Sequence, residues 1–203
     1  NIDKYFNIVF NALESNENLK KRYPNMSKIK ENIIDYVMSK IHDKIFPVEF
    51  NHLDSKIFQQ SVTLSWIKPN HFLGNKKQYV FGSFLKDITE IEKSPRTKLL
   101  NMDEIFNDIS FFYSFNGKDE IGMDEIIPLL SYAMIKIQPL ILDSNLKFMK
   151  LYKDVGGNKF SGNKFEQLES VMELIINMKF SNLIGVTKEE FSENIRKKNH
   201  KKN

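Results

Sequence analysis

The segment that most constrains the fold runs from Gly122 to Leu146, with the sequence GMDEIIPLLSYAMIKIQPLILDSNL. From Ile126 to Ile137 almost every side chain is apolar, whereas a helix at the surface of a domain carries only an apolar stripe. Prolines and a lysine interrupt the segment, which is too short to span a bilayer, since that requires about 20 apolar residues. It therefore predicts a helix enclosed on most sides, at the centre of a soluble helical bundle.

Asp124 and Pro128 mark the start of this helix. Because proline lacks an amide hydrogen and is tolerated in the first turn, Pro128 predicts that the helix begins only a residue or a few before it. Asp124 then lies at the mouth of the helix. Position alone favours an N-cap, or a first-turn acid that interacts with the helix dipole. The alternative is a carboxylate that a rigid, buried helix holds out toward a partner.

Apolar residues recur at helical spacing over most of the remaining chain. The predicted helices cover residues 2–13, 27–45, 54–67, 79–91, 95–115, 143–152, 165–178 and a short stretch from the capping box of Thr187 and Glu190 to Ile195. The polar segment 15–25 and the segment 68–75 are predicted to be connections. No run alternates with the period of a strand, so we expect an all-α fold.

The composition limits the partners and the chemistry. The 203 residues, 41% hydrophobic and 28% charged, suffice for one large domain or two tightly joined small ones. The 30 basic and 26 acidic residues give a net charge of +4, which does not indicate nucleic acid as a partner. The absence of cysteine excludes disulfides and thiol catalysis. No signal peptide or transmembrane segment is visible. Because the chain begins with Asn1 rather than methionine, we expect a piece of a longer protein.

The sequence offers no metal-binding or nucleotide-binding motif. The four histidines form no pair such as HExxH, and we expect neither a metal nor a cofactor. Residues 157–164, GNKFSGNK, are similar to a phosphate-binding loop, but Asn163 separates Gly162 from Lys164 and no serine or threonine follows. This stretch repeats the letters GNKF, which is typical of a flexible loop.

From Gly122 onward the order of residues resembles the VPS-nine domain, the vacuolar-protein-sorting family of guanine nucleotide exchange factors for endosomal Rab GTPases. That family shows Gly-x-Asp-Asp/Glu, two apolar residues, Pro, a buried helix, a Pro-containing turn and Ser-Asn. The matching residues here are Gly122, Asp124, Glu125, Pro128, Pro139, Ser144 and Asn145. The similarity continues through residues 65–72, 94–100, 168–178 and 186–195, and so covers nearly the whole chain.

The resemblance implies a layered, all-helical exchange domain packed against a preceding helical bundle. We expect residues 1–52 to form the N-terminal bundle segment, residues 53–196 the VPS-nine-type exchange domain and residues 197–203 a disordered basic tail. The resemblance also implies a cytoplasmic protein, peripheral to early endosomes or transport vesicles. Any membrane association would come through other regions or other proteins.

By the same resemblance, Asp124 is the acidic finger of the family. Such a carboxylate enters the nucleotide site of a Rab-five-type GTPase, pairs with the lysine of its phosphate-binding loop and displaces magnesium. The GDP-bound and nucleotide-free forms of the GTPase are the implied partners. This activity catalyses GDP/GTP exchange and involves no covalent chemistry.

The family also has an apolar groove, between the central helix and the helix that begins here near Phe165, which takes up the Rab switch regions. Pro128 matches a residue on the groove wall, although a proline at a helix start needs no such role. Where the family commonly shows Gly-Tyr-x-Leu-Thr-Asn, residues 162–167 read GNKFEQ, so Asn163 replaces the tyrosine and Glu166 the threonine. We expect Asn163, Phe165 and Glu166 at the GTPase-binding surface.

Two other functions stay open at this point. The departures at Asn163 and Glu166 favour a weak or non-catalytic Rab-binding module that uses the same groove. The apolar helices and the basic C-terminal residues are compatible with a structural helical bundle or a bundle that binds lipid surfaces, although such a charge run is usually a solvated terminus.

Overall fold

The computed structural model describes residues 2–46, 51–74, 92–115, 117, 122–155 and 163–200. Within these ranges the regular structure is helical and contains no strand, which confirms the predicted all-α class. The helices are α1 (Ile2–Glu14), α2 (Glu17–Arg22), α3 (Met26–Ile45), α4 (His52–Thr63), α5 (Asn70–Leu73), α6 (Pro95–Phe115), α7 (Met123–Ile137), α8 (Leu142–Tyr152), α9 (Asn163–Ile176) and α10 (Lys188–His200), with a 3-10 turn at Phe180–Asn182.

Two short helices occupy segments that were predicted to be connections. Helix α2 forms in the polar segment because Asn16 caps it, its side-chain oxygen accepting a hydrogen bond from the Leu19 amide at 3.1 Å. Helix α5 is a single turn that follows Pro69. At the other end of the chain, α10 continues to His200, so the basic residues predicted as tail from residue 197 are helical as far as residue 200.

The predicted helix at 79–91 and the repeated GNKF letters lie wholly or partly outside the described residues. Among the residues that the structure does describe, no helix combines the length and apolar character that a membrane span requires.

Helix α7 lies at the centre of the larger core, as its sequence predicts. It packs most extensively on α9 and also contacts α4 and α5. Its middle portion is buried through six residues, Leu129, Leu130, Ser131, Ala133, Met134 and Ile135. Each large apolar side chain buried here contributes about 1.5–3 kcal/mol relative to an exposed position. This packing makes α7 a rigid element from which its first turn projects.

A second, smaller core joins the N-terminal helices to the rest of the chain. Phe6 and Phe10 of α1 pack with Ile34 and Met38 of α3, and Val155, just after α8, completes the cluster. Tyr152 of α8 packs against its edge. The N-terminal helices therefore share apolar contacts with the larger body of the chain.

Ionic contacts also hold α3 against α6. Asp35 accepts a hydrogen bond from Ser94 Oγ at 2.7 Å and one from Arg96 Nη1 at 3.0 Å. The other guanidinium nitrogen, Nη2 of Arg96, lies 2.7 Å from Glu31 Oε2. Because the Arg96 side chain is only 13% exposed, this pairing is better shielded than an ordinary surface ion pair.

Candidate functional site

The first turn of α7 is built around Gly122 and Glu125. Gly122 is the N-cap residue, with φ −84° and ψ 165°, and its amide donates to Glu125 Oε2 at 3.4 Å. Glu125 therefore supplies the capping contact that satisfies a free amide at the helix start. Asp124 is the second residue of the helix, so of its two structural interpretations the N-cap is wrong and the first-turn acid is confirmed.

Pro128 lies in the second turn of α7, so the helix begins about one turn earlier than this proline predicted. A proline at this position cannot donate to the carbonyl four residues before it, which is that of Asp124. The helix tolerates the loss because the affected carbonyl belongs to an exposed residue near the helix end, where water can hydrate it. Pro128 itself is half-buried.

Asp124 is exposed, and its carboxylate makes no hydrogen bond or ion pair within the part of the chain that the structure describes. The side chain folds back over the Cα of Gly122: a Cβ placed on Gly122 would lie 2.2 Å from Asp124 Oδ1. The absence of a side chain at Gly122 thus creates the space that the carboxylate occupies. The result is an unpaired negative charge at the N-terminus of a helix whose body is fixed in the core.

Tyr113, a buried residue of α6, contacts the backbone of this turn. Its hydroxyl donates a hydrogen bond to the Glu125 carbonyl at 3.1 Å, and the residue is only 2% exposed. Burial, followed by the charges of Glu125 and Asp124, raises the pKa of Tyr113 to about 12. The phenol therefore remains protonated, and remains a donor, at neutral pH.

Asp124 is the first of a row of accessible side chains that follow one another along α7 at intervals of four residues. We call Asp124, Pro128, Tyr132 and Lys136 the α7 stripe; its ends are exposed and its two middle residues are half-buried. The Lys136 ammonium lies 5.4 Å from the centre of the Tyr132 ring and donates to the Ser65 carbonyl at 2.8 Å. Tyr132 and Lys136 were not identified as surface residues from the sequence. Their i, i+4 spacing from Asp124 indicates that they lie on the same face of the helix.

The beginning of α9 presents two of its three predicted site residues to solvent. Asn163 and Glu166 are exposed, whereas Phe165 is 2% exposed and belongs to the main core. The Lys150 ammonium lies 5.6 Å from the centre of the Phe165 ring, on a neighbouring helix. The prediction that Phe165 lies at the binding surface is therefore corrected: its side chain faces inward and holds α9 in place.

A cleft of about 460 Å³ lies at the other end of α9. Its lining is formed by Ser170, Glu173, Leu174, Asn177, Lys179, Ser181 and Asn182. These side chains are mostly polar, and none belongs to α7, so this cleft is separate from the predicted apolar groove. Among the described residues, no group of three histidine, aspartate or glutamate side chains is arranged to hold a metal ion.

The site thus combines a helical scaffold with an unpaired carboxylate at the start of its central helix. Residues 80–180 match the family model of the Vacuolar sorting protein 9 (VPS9) domain. The chain belongs to the VPS9 domain family.

Two curated plant proteins are similar to this chain. Vacuolar protein sorting-associated protein 9A of Arabidopsis thaliana is 29% identical over 132 residues, which cover 58% of this chain and 25% of that protein. Vacuolar protein sorting-associated protein 9A of Oryza sativa subsp. japonica is 31% identical over 136 residues, which cover 61% of this chain and 28% of that protein. The match therefore spans about a quarter of the length of these relatives.

Proposed function

We propose that this chain is a guanine nucleotide exchange domain that promotes GDP release from a Rab-five-type small GTPase, with Asp124 as the acidic finger. The observation that carries the proposal is the exposed Asp124 carboxylate, which has no partner in the described part of the chain and projects from a helix buried in the core. Membership of the VPS9 family supports the class of activity.

The physical basis is competition for one cationic site. In a GTPase, the lysine of the phosphate-binding loop and a magnesium ion hold the nucleotide phosphates. A carboxylate that enters this site pairs with the lysine in place of a phosphate, and in a low local dielectric such a charge-assisted contact is strong. Its negative charge and its bulk exclude the magnesium-bound phosphates. Asp124 needs no proton transfer or covalent step for this role.

One ion pair does not supply all of the binding free energy that nucleotide exchange requires. Exchange requires tighter binding of the nucleotide-free GTPase than of the GDP-bound form, and a shift of roughly 10⁴-fold needs about 5.5 kcal/mol of such preference. We assign the remaining binding energy to Pro128 and Tyr132 of the α7 stripe and to the exposed Asn163 and Glu166 of α9, the helix on which α7 packs most extensively. Phe165 contributes by fixing α9 rather than by touching the partner.

The corresponding location is the cytoplasmic face of early endosomes or transport vesicles. There the domain would act peripherally, with membrane association supplied by other regions or other proteins.

The test is release of a fluorescent GDP analogue from a Rab-five-type GTPase, followed by stopped flow at increasing concentrations of this chain. Asp124→Ala should slow release by roughly tenfold to a hundredfold, since a charge-assisted contact contributes about 1.5–3 kcal/mol. Glu189→Ala is the matched control, because Glu189 is also an exposed acid in the first turn of a helix. An Asp124→Ala protein as fast as wild type would refute the finger mechanism.

A second candidate function is a Rab-binding module with little or no exchange activity. It is favoured by Asn163 and Glu166, which are exposed where the family commonly has a tyrosine and a threonine. Glu166 in particular is a negatively charged residue where the family commonly has a neutral threonine. Binding of the nucleotide-free GTPase without accelerated GDP release by the wild-type chain would establish this candidate.

A further inference from the structure

The turn that carries Asp124 has fewer backbone hydrogen bonds within the helix than the rest of α7. The first four amides of any helix lack an intrahelical acceptor, and here Pro128 also removes the bond to the Asp124 carbonyl. The turn lies at the end of the helix, outside the buried portion that begins at Leu129. Additional contacts must therefore determine where the Asp124 backbone, and with it the carboxylate, is held.

Tyr113 provides such a contact from a different helix. Its hydroxyl donates to the Glu125 carbonyl, in the peptide immediately after Asp124, across a distance of 3.1 Å. The ring is itself well fixed, because it is 2% exposed and packs edge-on against Phe112, with 5.2 Å between the ring centres. A rigid donor on α6 thus holds the backbone next to the exposed acid.

We propose that Tyr113 is a positioning residue for Asp124, acting through its hydrogen bond to the Glu125 carbonyl. This inference rests on the proposed exchange function and extends it by one residue that does not touch the GTPase. Tyr113 limits the movement of the first turn of α7, so that the Asp124 carboxylate is already placed when the partner binds. A preordered group loses less conformational entropy on binding than a mobile one.

The expected effect of Tyr113→Phe follows from its chemistry. The substitution keeps the buried ring and removes only the hydroxyl, so the core packing is retained. GDP release at saturating concentration of the exchange domain should slow by roughly threefold to tenfold. The concentration that gives half-maximal release should change less than twofold, because the surface formed by Pro128 and α9 is intact. Tyr152→Phe, at a half-buried tyrosine of α8 far from Asp124 in sequence, is the control and should behave as wild type.

A double-mutant cycle separates positioning from general loss of structure. The measured quantity is the dissociation constant of the complex with a nucleotide-free Rab-five-type GTPase, which keeps a measurable value after Asp124 is removed. Tyr113→Phe should weaken this complex roughly threefold to tenfold in the wild-type background and less than twofold in the Asp124→Ala background. Circular dichroism and the urea midpoint of each variant check that it is folded.

Three results would overturn the inference. Equal weakening in both backgrounds would assign Tyr113 a structural role unrelated to Asp124. Unchanged release and unchanged affinity in Tyr113→Phe would show that its hydrogen bond is irrelevant to exchange. An Asp124→Ala protein with wild-type release would remove the finger mechanism itself, and the positioning role with it. In the first two cases the proposed function survives, provided that Asp124→Ala is slow.

Discussion

Asp54 and Asp124 each lie in the first turn of a helix, yet the structure gives them opposite environments. Asp54, in α4, is 0% exposed and its carboxylate accepts hydrogen bonds from the start of α8. Asp124, in α7, is exposed and accepts no hydrogen bond within the described residues. A carboxylate that is buried and hydrogen-bonded within its own chain cannot bind a partner, whereas an exposed, unpaired carboxylate can. Helix position alone does not separate the two.

The Asp54 contacts join two elements that are distant in sequence. The amides of Asp143 and Ser144 donate to Asp54 Oδ1 at 2.7 and 3.2 Å, and the Ser144 hydroxyl donates to Oδ2. Asn51 strengthens the junction: its side-chain nitrogen donates to Asp143 Oδ2 at 2.9 Å. Asp54 thus caps α8 from α4, and the negative charge faces the positive end of the α8 dipole.

Removal of the buried carboxylate should produce the largest effect. Asp54→Ala leaves two amides and a hydroxyl buried without an acceptor, and we expect a loss of about 3–5 kcal/mol in the free energy of unfolding. Urea denaturation followed by circular dichroism measures it. Asp124→Ala is the control at an exposed helix start and should lose at most about 1 kcal/mol. A loss below about 1 kcal/mol in Asp54→Ala would contradict the assigned difference.

The sequence predicted the helical framework because that framework depends on local periodicity. The apolar run of α7 and the repeating apolar residues of α3, α6 and α9 are visible without long-range information. The capping of α8 by Asp54 was not predictable in this way, since the two partners lie 89 residues apart. The resemblance singled out Ser144, but only the structure shows that its amide and hydroxyl bind Asp54.

The sequence named the residues of the candidate site but not their surroundings. The family motif pointed to Asp124, which is exposed; its role in exchange stays a prediction. Phe165 was assigned to the surface by alignment with the family, although its spacing from Leu168 and Met172 already places it on the buried face of α9. The contact between Tyr113 and the Glu125 carbonyl depends on how α6 meets α7, which no sequence pattern indicates.

Asp35 is intermediate in burial between Asp54 and Asp124, and its removal should cause an intermediate loss in the free energy of unfolding. Its side chain is 27% exposed and contacts Arg96 and Ser94. Asp35→Ala should reduce the free energy of unfolding by about 1–2 kcal/mol, less than a fully buried charge because water screens part of the interaction. In 1 M salt, where the Debye length falls to about 3 Å, this loss should shrink, whereas the loss in Asp54→Ala should not. Equal salt dependence in both variants would argue against burial as the distinguishing factor.

The smallest effect concerns the space that Gly122 leaves for Asp124. A Cβ at Gly122 would lie 2.2 Å from Asp124 Oδ1, so Gly122→Ala must push the carboxylate aside. We expect GDP release to slow by roughly threefold to fivefold, equivalent to about 0.7–1 kcal/mol in the transition state. Alanine is also a poorer N-cap than glycine, so loss of capping is a competing cause.

Gly122→Ser distinguishes these causes, because serine adds the same Cβ but also supplies a side-chain oxygen that can cap the helix. If displacement of Asp124 is the cause, both variants exchange slowly, while only the alanine variant loses about 1 kcal/mol of stability in urea denaturation. Wild-type exchange by Gly122→Ser would instead assign the slow release in Gly122→Ala to the weakened cap. In that case the exact position of the Asp124 carboxylate would not matter for exchange, and exposure alone would not distinguish Asp124 from other acids at the surface.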